Sequence, residues 1–217
     1  MIKTGSVTIN GTAVLSCDEK CADTDEVRVD GRLISNDEFV YIMLNKPKGV
    51  ICASDGKGEK TVVDLVPDDL RVKGLFPAGR LDKDTTGFAL ITNDGEFAHN
   101  ILSPKHHINK TYIAKLDAPI TDEVIRDFEN GMTLGDEKLK SAKLTPLNPE
   151  KTEAEVVISQ GIYHQIKRMF KKHGLTVLEL RRTAIGNLKI DEKLAPGECR
   201  AIKNDELQKI RDNSPAT

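Results

Sequence analysis

A short charged loop, Gly79–Gly87, interrupts apolar sequence on both sides and constrains this chain more than any other stretch. Gly74-Leu75-Phe76-Pro77-Ala78 precedes the loop. Phe88-Ala89-Leu90-Ile91-Thr92 follows it with the pattern of a buried strand, which the turn signal Asn93-Asp94-Gly95 closes. A loop between buried segments is held by a rigid scaffold, and catalytic groups are commonly placed on such loops. Asp82 is therefore the first candidate catalytic residue.

The same loop has a purely structural interpretation. Aspartate followed by threonine and glycine is ordinary turn chemistry, and Arg80 lies close enough in sequence to be a local salt-bridge partner of Asp82. The rest of the chain has to decide between the two.

The length of 217 residues permits one large domain, or one of about 180 residues with a small appendage. No run approaches the roughly 18 apolar residues that a membrane span requires. The first residues also lack the apolar stretch of a signal peptide. We therefore expect no membrane partner and a cytoplasmic location.

Metal and nucleotide cofactors are not expected. Cys17 and Cys21 have a spacing that a metal site can use, but no second pair follows at a suitable distance, and Cys52 and Cys199 are isolated. Gly56-Lys57-Gly58-Glu59-Lys60-Thr61 lacks the spacing of a nucleotide phosphate loop. The sequence thus predicts reduced thiols, no metal and no cofactor.

Charge is sorted by region. The formal net charge of −2 argues weakly against a nucleic-acid partner. Residues 156–190, however, hold seven basic side chains against one acid, Glu179, whereas residues 17–40 are acidic. A local basic field matters more than the total charge for attracting a polyanion.

Residues 1–38 indicate a small β-rich unit, and residues 39–217 a larger domain. Polar and apolar residues alternate over Ser6–Ile9, as in a half-buried strand. Asn10-Gly11 is a strong signal for a hairpin turn, and Thr12–Leu15 is the expected second strand of the hairpin. Phe39–Leu44 is an apolar run suited to a core strand, and Asn45–Gly49 predicts a turn after it.

The larger domain mixes helices and strands. We predict helices over 96–102, from the capping residue Thr121 to Asn130, and from Asn204 onward. Lys110 opens an alternating strand after a basic loop.

The most basic stretch, residues 160–174, predicts an amphipathic helix. At 100° per residue, the buried face is expected to carry Tyr163, Ile166, Met169, Phe170 and His173. His164, Lys167 and Lys171 share a cationic flank.

Three segments together resemble the pseudouridine synthases, most closely the small-subunit ribosomal RNA branch. Gly79-Arg80-Leu81-Asp82, two further residues, Thr85 and Gly87 resemble the central motif, whose aspartate is catalytic. Lys110-Thr111-Tyr112 is similar to the second motif, whose tyrosine lies against the target uracil. His164–Phe170 is similar to the third, whose basic residue, here Lys167, pairs with the catalytic aspartate.

The resemblance implies an α+β fold with a mixed, mostly antiparallel sheet flanked by helices. It implies isomerisation of uridine to pseudouridine in ribosomal RNA, most specifically at uridine 516 of 16S RNA, with base flipping and no cofactor. Asp82, Tyr112 and Lys167 are the expected catalytic residues. The expected substrate-binding residues are Arg80, Leu180, His164, Lys46, Lys105, Lys110, Arg168 and Lys171.

The expected partner is ribosomal RNA or an assembly intermediate of the ribosomal subunit, and the protein is expected to be a monomer. Residues 1–38 resemble the second half of a small RNA-binding module, with the first helices of that module expected to be missing.

Three alternatives remain open at this point. The chain can be an enzyme of the sister branch that acts on 23S RNA, or a catalytically silent RNA-binding protein. A carboxylate hydrolase is the third, and it would need a second acid near Asp82. Asp84 is a candidate for that acid by proximity, although turn chemistry explains it as well.

Overall fold

The computed structural model describes residues 5–22, 25–34, 39–103 and 108–211. The chain divides into two units, Met1–Phe39 and Val40–Thr217.

The first unit contains a small antiparallel sheet. Its strands are β1 (Val7–Ile9), β2 (Thr12–Ala13), β3 (Val27–Val29) and β4 (Arg32–Ile34). Their order is β2-β1-β3-β4. Asn10 and Gly11 join β1 to β2 with φ angles of 50° and 82°, which suits a tight hairpin turn. The predicted hairpin is confirmed, whereas an RNA-binding role for this unit stays a prediction.

The second unit carries the remaining strands and the helices of the described residues. The strands are β5 (Tyr41–Lys46), β6 (Phe76–Pro77), β7 (Thr86–Thr92), β8 (Lys110–Leu116), β9 (Thr133–Leu134), β10 (Glu137–Lys138), β11 (Lys143–Pro146), β12 (Glu153–Ile158), β13 (Val177–Ile185), β14 (Leu188–Lys189) and β15 (Cys199–Ala201). The helices are α1 (Gly95–Leu102), α2 (Asp122–Asn130), α3 (Gln165–Lys172) and α4 (Asn204–Arg211), with a short 3-10 helix at Val63–Leu65.

One large sheet organises this unit. Its main strand order is β11-β12-β8-β13-β7-β5-β15, with β6 paired to β7 and β14 paired to β13. The β7–β13 pair is parallel, and the other pairs are antiparallel. The predicted class, α+β with a mixed, mostly antiparallel sheet flanked by helices, is confirmed.

Apolar residues on both faces of the sheet are buried. Side chains alternate along a strand, so in β7 Ala89 and Ile91 point to one face while Phe88 and Leu90 point to the other. Helices α2 and α3 contribute to the first core, and α1 and α4 to the second. The central strands are therefore held rigidly between two helical layers.

Polar side chains cap two of the helices, at Thr121 as predicted and at Asp94, which the sequence indicated only as part of a turn. The Asp94 side chain accepts a hydrogen bond from the backbone N–H of Phe97 at 2.9 Å, and Thr121 accepts one from Val124 at 3.4 Å. In the described part of the chain, we find no helix with the length and apolar character to cross a membrane.

The predicted buried position of Tyr163 is wrong. Helix α3 begins only at Gln165, and the preceding residue, His164, has the left-handed backbone conformation with φ of 49°. Helical periodicity therefore does not extend back to Tyr163, whose side chain is 75% exposed. Ile166, Met169 and Phe170 are buried as predicted.

Candidate active site

The Asp82 loop connects β6 to β7 and is held in place by Lys46 at the end of β5. The Lys46 ammonium donates hydrogen bonds to the backbone carbonyls of Thr85 at 2.8 Å, Pro47 at 3.1 Å and Lys83 at 3.2 Å. Its side chain is fully buried, and burial lowers the pKa of Lys46 from its ordinary value. This placement differs from the phosphate contact expected of Lys46, because the ammonium has no access to solvent.

Asp82 lies between two side chains from the start of α3. Its Oδ2 is 3.0 Å from the Lys167 Nζ, and its Oδ1 is 3.3 Å from the His164 Nε2. The Asp82 side chain keeps 26% of its surface exposed. The structure thus brings Asp82, His164 and Lys167 together, and in the described residues Arg80 makes no ion pair with Asp82.

Lys167 is shared between two carboxylates. Its Nζ is also 2.6 Å from Oδ1 of Asp84, a side chain that is 71% exposed. Burial by itself would lower the pKa of Lys167, but the hydrogen bonds and charge attraction from Asp84 and Asp82 outweigh it and raise that pKa. The hydrogen bond from Lys167 in turn lowers the pKa of Asp84. Lys167 is therefore held as a cation beside Asp82.

A small cavity of about 80 Å³ lies against Asp82. Its walls include Tyr112 of β8 and Leu180 of β13, which are 8% and 7% exposed. The cavity shares Arg80, Asp82 and His164 with a cleft of about 880 Å³. Exposed Lys48 and Arg80 line this cleft together with the carboxylates of Glu59, Asp82 and Asp84.

The other predicted binding residues occupy different environments. Lys110 is 8% exposed, and burial lowers its pKa to about 8. Arg168 is tied to the scaffold by an ion pair with Glu137 at 2.6 Å. Lys171 is exposed and lies outside the lining of both cavity and cleft. Lys105 lies outside the described residues.

Thr85 belongs to the cavity wall, although only its place in the central motif singles it out in the sequence. It is 1% exposed, and its buried hydroxyl has no hydrogen-bond partner among the described residues. Its backbone N–H donates to the Asp82 carbonyl at 3.1 Å. A buried hydroxyl without a partner is uncommon in folded proteins.

This arrangement suits a planar polar ring attached to a phosphate chain. Lys167 provides a counter-charge to the Asp82 carboxylate, Tyr112 and Leu180 give an aromatic and an apolar wall that accept a ring, and the exposed Lys48 and Arg80 attract phosphates. In the described residues, no group of three potential metal-ligating side chains forms.

Comparison of the sequence and the fold with known proteins finds matches in one family. Residues 40–172 match the family described as RNA pseudouridylate synthase. An uncharacterized RNA pseudouridine synthase, YtzG, of Bacillus subtilis is 42% identical, covering 98% of this chain and 90% of the relative. Ribosomal small subunit pseudouridine synthase A of Escherichia coli is 39% identical, covering 96% and 90%. A crystal structure of a pseudouridylate synthase is 38% identical with a TM-score of 0.74, covering 96% and 90% of the two chains.

Proposed function

The chain belongs to the RNA pseudouridylate synthase family, and from this premise we propose that it isomerises a uridine of ribosomal RNA, specifically uridine 516 of 16S RNA, with Asp82 as the catalytic carboxylate. The relatives that carry the small-subunit name, at 39% identity across almost the whole chain, favour 16S over 23S RNA.

The proposed reaction leaves the composition of the RNA unchanged. The bond between uracil N1 and ribose C1′ breaks, the base turns, and a bond between C5 and C1′ forms. N1 gains a proton and C5 loses one, so no oxidant, reductant or second substrate is consumed. The reaction needs a carboxylate beside the sugar, a pocket for the turning base, and a group that accepts the C5 proton.

Asp82 meets the first need as a carboxylate in the wall of the cavity. Lys167, whose Nζ is 3.0 Å from its Oδ2, orients it. Tyr112 and Leu180 meet the second need by enclosing the base after it leaves its stack. Tyr112 is also the candidate acceptor of the C5 proton, and Arg80 at the cleft is suited to hold the phosphate backbone.

The convergence of Asp82, Lys167 and Tyr112 on one cavity carries this proposal. A silent RNA-binding protein would not need these three groups together. A carboxylate hydrolase would need Asp84 as a proton donor, but Lys167 lowers the pKa of Asp84 and so favours its ionised form.

Pseudouridine mapping tests the proposal. We would incubate 16S and 23S RNA, free and as assembly intermediates, with the wild-type protein, Asp82→Asn and the matched variant Asp84→Asn. We expect one new site at uridine 516 of 16S RNA with the wild type, its loss with Asp82→Asn, and retained activity with Asp84→Asn.

Two outcomes would contradict the proposal. A new site in 23S RNA would assign the protein to the sister branch. If Asp82→Asn formed as much pseudouridine as the wild type, Asp82 would not be the catalytic carboxylate.

A further inference from the structure

Tyr163 is an exposed aromatic residue at the edge of the cleft that contains Asp82. Three quarters of its surface is accessible, and its ring is part of the cleft wall. Large aromatic rings usually bury much of their surface, so an exposed ring inside a functional cleft points to a ligand that covers it.

The Tyr163 ring is held in a fixed orientation. It stacks on the His164 imidazole with ring centres 3.8 Å apart and an angle of 15° between the planes. The backbone of His164 is left-handed, with φ of 49°, so the chain turns at this residue directly before α3. The Tyr163 carbonyl accepts a hydrogen bond from Arg168 at 3.3 Å, and Arg168 is anchored to Glu137.

Only one face of the Tyr163 ring is occupied. Within the described ranges, no second ring or cation stacks on the opposite face. A rigid ring with one free face binds another planar group without losing side-chain freedom.

The ring also lies one stacking layer from the catalytic carboxylate. The imidazole on which it stacks has its Nε2 3.3 Å from Asp82. Lys48 and Arg80 line the same cleft and are exposed, so phosphates of a bound strand would find cations in this cleft.

A uridine that flips into the cavity leaves its neighbours without a stacking partner. We propose that Tyr163 is a stacking platform for the unpaired nucleobase next to the target uridine. The proposal rests on the proposed function, because it requires a uridine to enter the cavity beside Asp82. Sequence identity of that neighbouring base matters little, because every base has a π-face.

Fluorescence gives a direct test, because the chain contains no tryptophan. Tyr163→Trp therefore introduces the sole tryptophan, and a stacked base quenches its emission. The matched control is Leu178→Trp, at an exposed position outside the lining of the cleft. The probe is an unpaired 11-nucleotide RNA with a central uridine, compared with the same RNA carrying abasic sites on both sides of that uridine.

We expect the intact RNA to quench Tyr163→Trp roughly twofold while leaving Leu178→Trp unchanged, and the abasic RNA to lose most of this quenching. Equal quenching of the two variants, or full quenching by the abasic RNA, would overturn the proposal.

Kinetics separate stacking from an effect through His164. We expect Tyr163→Leu to raise KM roughly tenfold with kcat nearly unchanged, and Tyr163→Phe to behave like the wild type. A fall in kcat at unchanged KM would overturn the proposal, because it would mean that the ring only positions His164 beside Asp82.

The two proposals can fail separately. Quenching requires no chemistry and is measured in the Asp82→Asn background. Quenching without pseudouridine formation by the wild type would reject the proposed function alone, and pseudouridine formation without quenching would reject the stacking platform alone.

Discussion

Replacing Lys46 with methionine separates two roles for this residue, phosphate contact and scaffold. Methionine has a similar length and volume but cannot donate to the three carbonyls that the ammonium now contacts. The Thr85 carbonyl, at 2.8 Å, is in a buried environment, and the other two contacts are partly buried.

The magnitude follows from these contacts. An acceptor left unsatisfied in a buried environment costs about 1–3 kcal/mol, and the partly buried carbonyls regain some hydration, so they add about 1 kcal/mol together. We expect Lys46→Met to lower the free energy of unfolding by about 2–4 kcal/mol. Because Lys83 and Thr85 follow Asp82 closely in the loop, the carboxylate would shift, and a shift of about 1 Å can reduce the rate about a hundredfold.

The assay combines urea denaturation with single-turnover pseudouridine formation and RNA binding at several salt concentrations. Lys48→Met, at an exposed position in the turn that follows β5, is the matched control. We expect Lys46→Met to lose stability and rate while its RNA affinity stays within about threefold. A variant that keeps its stability but binds RNA more weakly, with a reduced dependence on salt, would refute the scaffold role and restore the phosphate contact.

Three further predictions concern stability. Hydrogen bonds from Arg200 lower the pKa of Glu206 to about 2, below its ordinary value of 4.5, so the stabilisation is present above pH 4.5 and is lost as the pH falls towards 2. The wild type should lose up to about 3 kcal/mol of unfolding free energy in this way, and Glu206→Gln should not. If the acid unfolding of the variant had the same pH profile as that of the wild type, the prediction would be wrong. Burial lowers the pKa of Lys110 to about 8 from 10.5, so wild-type stability should rise between pH 8 and 10.5. Lys110→Met should be more stable than the wild type at pH 7 by about 1–3 kcal/mol in urea denaturation, and a loss of stability would show that the ammonium has a partner. Gly87 and Gly197 both have φ of 94°, but a β-carbon at Gly87 would lie 2.2 Å from a backbone carbonyl oxygen of β13, whereas nothing lies within 4 Å at Gly197. Thermal unfolding should therefore show a greater loss of stability for Gly87→Ala than for Gly197→Ala. Gly197→Ala should lose about 1–3 kcal/mol of unfolding free energy from backbone strain alone. Equal losses of stability in the two variants would contradict the predicted clash.

Local patterns predicted many of the helices and strands. Thr121 and Gly131 bound α2 because a hydroxyl caps the first turn and a glycine ends the last. Period-two alternation predicted β8 from Lys110 onward, and the Asn10-Gly11 pair predicted the first hairpin. These signals depend on neighbouring residues, so a single sequence contains them.

Side-chain environments were harder to predict. Helical periodicity placed Tyr163 in the core because the pattern does not show where the helix begins. The left-handed His164 separates Tyr163 from the first residue of α3. The sequence predicted a turn over Asn45–Gly49, but β5 continues through Lys46, whose ammonium bonds to carbonyls of the Asp82 loop. Two of the three carbonyls that accept its hydrogen bonds, those of Lys83 and Thr85, lie 37 and 39 residues further along the chain.

By itself, the sequence determined the central charged loop, its buried flanking strand and the choice of Asp82 as the candidate carboxylate. The tertiary structure decided which groups surround that carboxylate. Lys167 lies 83 residues from Asp84, yet the packing of α3 against the sheet brings its ammonium between Asp84 and Asp82. Ion pairs and hydrogen bonds form over about 3 Å in space, and no local pattern of residues specifies such distances between remote segments.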